Sequence, residues 1–341
     1  MSVEREQSAD AGADAYEETV AAVTLPDPVL DAVEAYEAVG GERDRFVWKW
    51  IYDLFPAFTL SSVPAEHADR VRTTKTLFTV FITLLDDVAE RDGDARTFDR
   101  IRRAVRCRVD AGGDRDVGGG AAEDGDDGGD GDGRAAVVEF AVDLWATVER
   151  RLATAPRYDE FADVFGYDLR QALNAMEYSR VVNDHLAIAN LGGATHYDSH
   201  NMVMFPYADV DVMHSPGFDP AEFGAVRELI WDLQEMARIG NWLTTWEREV
   251  AEGDYSAGVV VYALRNGIVT REELAAAADG DTAAVDRIHA HDVEGVFLAD
   301  WHSLNRSVRE RRFETDSVDL DAFVAGMETV MDHHLASEGY K

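Results

Sequence analysis

Apolar residues recur at three- and four-residue spacing through Val71–Glu90, Ala135–Leu152, Phe161–Ile188, Ala221–Glu252, Ala283–Arg311 and Leu320–Leu335. That is the periodicity of helices with one buried face. Most of the eight prolines fall between these segments, among them Pro26, Pro28, Pro156 and Pro216, where a missing amide proton and a fixed φ end a helix. Asp219 and Asp281 stand where N-caps of the following helices belong. The run Gly258-Val259-Val260-Val261-Tyr262 has strand-like composition, but its shortness and its helical neighbours favour a buried helix. No repeat of fixed period is visible. The pattern predicts an all-α fold, a single bundle of about ten helices.

One stretch departs from this pattern. Residues 110–133 are almost entirely Gly, Asp, Glu and Ala, with nine acidic residues and one basic residue. So little apolar area cannot offset the entropy of ordering, so the segment is expected to be a disordered insertion. Residues 1–24 are expected to form a flexible N-terminal segment, leaving 25–341 as one domain. The formal charge is −35. The insertion contributes −8 of it, so about −27 belongs to the rest of the chain. Such a surface excludes nucleic acid as a partner, because phosphate binding needs a basic face. It is the pattern expected of a halophilic protein, whose self-repulsion is screened by concentrated salt. The first thirty residues hold Glu4, Glu6, Asp10 and Asp14 and do not read as a signal peptide. No run is long and apolar enough to span a bilayer. Cys107 is the only cysteine and cannot form an intramolecular disulfide. These features predict a soluble, cytoplasmic chain.

Two polar constellations interrupt the apolar helices. Asp86, Asp87 and Glu90 follow the apolar stretch Leu77–Ile82. On an α-helix Asp86 and Glu90 share a face one turn apart, where like charges destabilise each other. A divalent cation offsets that cost, since hard cations such as Mg²⁺ bind through carboxylates and substrate phosphates. Farther on, Asn241, Thr245 and Glu249 fall at i, i+4 and i+8. They form a stripe about 12 Å long that drifts by roughly 40° per step. An amide oxygen, a hydroxyl and a carboxylate then face one way, a second set of hard ligands. Among the ten histidines, including His289, His291, His333 and His334, no three-ligand spacing for zinc stands out.

Taken together, Asp86-Asp87-x-x-Glu90 and Asn241-x-x-x-Thr245-x-x-x-Glu249 resemble the paired motifs of the class I terpene synthases. Arg248 and Gly253-Asp254 add to the likeness, which runs from the first motif to the C-terminus. The resemblance implies a helical domain with a central pocket between the two motif-bearing helices. It further implies three Mg²⁺ ions bound with a prenyl diphosphate substrate, whose ionisation would start a cyclisation, and a possible homodimer. Two family features are altered. His200 or Asn201 stands where a diphosphate-sensing Arg is expected, and Gly339 precedes Tyr340 where an Arg-Tyr pair is common. A charge-assisted hydrogen bond contributes about 1.5–3 kcal/mol, so replacements are needed. Arg248, Arg238 and Arg180 are the candidates, with Tyr340 retained as a substrate contact. Phe78 and Phe81 precede Asp86 by one to two turns and are the first choice for aromatic contacts to a carbocation, ahead of Trp301. A trans-prenyl transferase and a non-catalytic isoprenoid binder are the alternatives to a cyclase.

Overall fold

A computed structural model describes residues 19–91, 93–110 and 131–336. Pro26 opens α1 (Asp27–Ala38), and Asp44 caps α2 (Arg45–Leu54) by accepting from the Phe46 amide at 2.7 Å. A 3₁₀ turn (Phe55–Phe58) leads to α3 (Ala65–Asp86), followed by α4 (Ala95–Asp110), α5 (Gly131–Leu152) and α6 (Tyr158–Asp184). The short α7 (Leu191–His196) and a 3₁₀ segment (Asp198–Met202) precede α8 (Met204–Met213). Then come α9 (Phe223–Ala251), α10 (Gly258–Arg265), α11 (Arg271–Ala278), α12 (Ala283–Ala290), α13 (Val293–Glu310) and α14 (Leu320–Ala336). The described residues hold fourteen α-helices and no strand.

The class is as expected, while the count exceeds about ten for identifiable reasons. All ten residues of α8 are buried, so that helix has no polar face and no amphipathic period to reveal it. The segment Ala283–Arg311 divides at Asp292, which adopts a left-handed backbone (φ 51°) between α12 and α13. The valine run Gly258–Tyr262 opens α10. Of the insertion, residues 111–130 lie outside the described residues, while Asp110 closes α4 and Gly131 opens α5. Of the N-terminal segment, residues 1–18 lie outside them too. Val20 is fully buried, and Lys49 Nζ donates to the Ala21 carbonyl at 2.6 Å.

The 29-residue α9 packs against α8, α10, α13 and α14, while α3 packs against α1, α2 and α5. Trp242 and Trp246, 2% and 1% exposed, anchor α9 to its neighbours. A fully buried ion pair lies where α3 meets α8. Lys75 Nζ sits 2.7 Å from Asp211 Oδ1 and also donates to the Phe58 carbonyl at 3.2 Å. Asp211 accepts from the Leu60 amide at 3.0 Å. Burying both charges is tolerable because each is paired and further hydrogen-bonded. The same ammonium lies over the rings of Phe55, Phe58 and Tyr207, 5.5–5.9 Å from their centroids.

Candidate functional site

The C-terminal end of α3 is not a regular helix. The backbone widens into a π turn over Asp87–Arg91, a local geometry common at functional sites. Glu90 falls within this π turn, one turn on from Asp86. The Glu90 side chain lies outside the described residues. In α9 the helix is regular, and the expected stripe forms. Thr245 Oγ1 donates to the Asn241 carbonyl at 2.8 Å, which fixes its rotamer and leaves its oxygen able to accept.

Asp86, Asn241, Thr245 and Glu249 line one pocket. It encloses about 1190 Å³ of empty space, counting the part open to solvent at its mouth. Arg43, Arg238, Arg248 and Asn201 share the polar part of its wall, and the remainder is largely apolar, including Trp50, Phe55, Phe58 and Tyr207. Asp86 and the Asn241-Thr245-Glu249 stripe, which begins 155 residues later in the sequence, thus meet in space because α3 and α9 flank one cavity.

The polar groups differ in how they are held. Asn201 donates to Asp86 Oδ1 at 2.9 Å, so one of the two residues standing where an Arg was expected contacts the first motif directly. Two residues on, Val203 lines the pocket with a left-handed backbone, φ 48°. That conformation is costly for a β-branched side chain, and such strain concentrates at functional sites. Arg238 donates through Nε to Asp198 Oδ2 at 2.7 Å and through Nη1 to Asn241 Oδ1 at 2.7 Å, which orients the amide. Asp198 also accepts from Ser179 at 2.8 Å, and burial lifts its carboxyl above the usual range although Arg238 opposes this. Arg248 pairs with Glu252, and its Nη2 lies 3.8 Å from Glu249.

Glu249 is the least satisfied group of the site. Its side chain is 13% exposed, and Oε2 is buried without a hydrogen-bond partner. Burial, with neighbouring Asp254 adding repulsion, pushes its carboxyl up to about 7. A buried acceptor left unpaired costs free energy that a cation would relieve. The donor set of Asp86, Thr245 and Glu249 is all oxygen, which suits Mg²⁺ and not a soft metal.

Other expected site residues lie elsewhere. Asp87 is 3% exposed and does not line the pocket. It accepts from Arg43 Nη2 at 2.6 Å and Nε at 3.1 Å, and from the Tyr36 hydroxyl. Phe78 and Phe81, both fully buried, stack on each other and pack tilted against Trp145, with Phe78 also against Phe165 and edge-on to Tyr207; neither lines the pocket itself. Trp301 is buried in α13, and Arg180 pairs with Asp184 at 2.9 Å. Neither borders the cavity. Tyr340 lies outside the described residues. His200 packs against Phe205 and Trp231. Arg43 and Trp50 carry no motif, and only the Gly40-Gly41 turn hinted that a side chain after it is placed with care.

Away from the pocket, His289 lies between Glu247 and Glu294, with each ring nitrogen 3.0 Å from a carboxylate. Burial works against its protonation, but the two carboxylates prevail and raise its pKa. The three residues could in principle hold a metal, yet two opposed acceptors on one ring describe an imidazolium equally well. Among the described residues no helix is long and apolar enough to cross a membrane. Compared with protein-family models and with curated proteins, the chain matches none.

Proposed function

We propose that this chain is a Mg²⁺-dependent, terpene synthase-like lyase. It ionises a linear prenyl diphosphate, lets the carbocation cyclise or rearrange, and releases pyrophosphate. The observation that carries this reading is the sharing of one pocket by Asp86 and the Asn241-Thr245-Glu249 stripe, with an apolar wall beyond them. Asp86, Thr245 and Glu249 would hold the metal, with Asn241 oriented by Arg238. Bound divalent cations act as Lewis acids that draw charge onto a leaving diphosphate. The substrate's C–O bond breaks heterolytically, and the electron pair leaves with the diphosphate oxygen. Arg248 adds positive charge at the polar wall, where preorganised donors stabilise developing negative charge. Trp50 offers an aromatic face to the cation left behind, an attraction of about 2 kcal/mol when desolvated. The apolar wall keeps water from quenching that cation.

The test is incubation of the purified protein, in molar KCl with Mg²⁺, with C10, C15 and C20 prenyl diphosphates, followed by mass spectrometry of the extract. Hydrocarbon or alcohol products are expected from at least one substrate. Asp86→Ala and Glu249→Ala should each lower turnover by about 100-fold or more, the scale of losing one electrostatic stabiliser. Full activity in both variants would refute the site. Longer diphosphates on adding isopentenyl diphosphate would replace the cyclase with a transferase.

A further inference from the structure

We propose that Arg43 is a diphosphate-binding residue and that Asp87 holds it in place instead of binding metal. The proposal rests on the functional reading above and supplies a cation that its motifs lack. Arg43 lies outside both constellations, in the connection between α1 and α2, and its side chain lines the same pocket as Asp86. Its Nε and Nη2 are both directed at Asp87 Oδ1, at 3.1 and 2.6 Å. A guanidinium carries five N–H donors in a rigid fork. Holding it along one edge leaves Nη1 free to meet a second anion.

The support behind this edge is built in depth. Asp87 takes its second hydrogen bond from the Tyr36 hydroxyl, and Tyr36 is fully buried, edge-on to Trp48 at 5.3 Å. The turn that delivers Arg43 lies flat on the same ring, since a Cβ at Gly41 would overlap Tyr36. A two-pronged Arg45–Glu37 pair at 2.7 and 2.6 Å closes the turn from outside. Asp87 is therefore committed on both oxygens and buried, whereas a metal ligand in this pocket would have to reach the cavity that Asp86 borders. Arg43 joins Arg238 and Arg248 in a pocket wall that holds two carboxylates, Asp86 and Glu249, and a guanidinium fixed there is suited to an oxyanion. The ligand chemistry is a diphosphate, either esterified or as the free product.

Calorimetric titration of the full-length chain with inorganic pyrophosphate and Mg²⁺ tests this. The proteins compared are wild type, Arg43→Gln, Arg43→Lys, Asp87→Asn, Asp86→Asn and the Arg43→Gln/Asp87→Asn double variant. Arg43→Gln should weaken pyrophosphate binding by about 10- to 100-fold, and Lys, which has no planar fork, should restore only part of it. Asp87→Asn should weaken it comparably, and the double variant should be no worse than Arg43→Gln, since the two act as one unit. The Mg²⁺ concentration needed for half-maximal binding should shift in Asp86→Asn but not in Asp87→Asn. Wild-type affinity in a folded Arg43→Gln, or a rise in the Mg²⁺ needed by Asp87→Asn as large as that in Asp86→Asn, overturns this assignment while leaving the pocket's function standing. No pyrophosphate binding by wild type overturns both.

Discussion

Glu249 is a buried pocket carboxyl with one oxygen unpartnered. Its pKa is raised from an ordinary 4.5 to about 7 by burial and by Asp254. Between those values the folded chain keeps a proton that the unfolded chain has lost. The group's contribution to stability is thus complete below about pH 4.5 and disappears as pH rises through 7. The loss amounts to at most about 3 kcal/mol. The metal-free protein should therefore melt at a lower temperature at pH 8 than at pH 5, and Glu249→Gln should remove part of that drop. Mg²⁺ with pyrophosphate should restore wild type at pH 8. Equal drops in wild type and Glu249→Gln would show that other buried carboxyls, such as Asp198 and Asp211, set the whole dependence. The stripe that ends in Glu249 was legible in the sequence because α9 keeps a regular 3.6-residue turn through it. In the first constellation Asp86 borders the pocket, Asp87 turns away from it, and the Glu90 side chain lies outside the described residues. Nothing in Asp87–Arg91 announces a π turn, and an aspartate turned toward an arginine looks the same in sequence as one turned toward a cavity.

Among elements, the long helices C-terminal to the insertion were readable, whereas α1, α2 and α4 were not singled out although α2 and α4 carry a marked apolar face. The long helices α5, α6, α9 and α14 each show one apolar stripe; α3 is buried on every side from Thr73 to Ile82 and was found by its apolar run, while α8 is covered likewise and was missed. Phe78 and Phe81 illustrate a related limit, since spacing places a side chain on a helix but does not say which neighbour that face meets. The junction of α9 with α10 gives an element-scale expectation. A Cβ at Gly258 would come within 2.5–2.8 Å of the Trp242 ring, and Trp242 meets Phe297 edge-on at 5.6 Å. Gly258→Ala should therefore cost about 1–3 kcal/mol through overpacking, measured by chemical denaturation in high salt. An unchanged midpoint would mean that α10 slides freely along α9.

At the scale of the molecule, the charge of −35 makes stability a function of salt. Screening shortens from about 10 Å at 0.1 M to about 3 Å at 1 M, so the melting temperature should climb steadily as KCl is raised from 0.1 to 2 M. A flat profile would leave the acidic surface serving solubility alone. The interior is more selective than that surface. Phe55, Phe58 and Tyr207 line the cavity with the Lys75–Asp211 pair packed against their rings, while Arg43 and Arg248 belong to the polar part of the same wall. The cavity is consequently polarised by the protein before any guest arrives. A guest with a negative head and an uncharged tail is matched at both ends, the head by these guanidinium groups and the tail by the apolar wall.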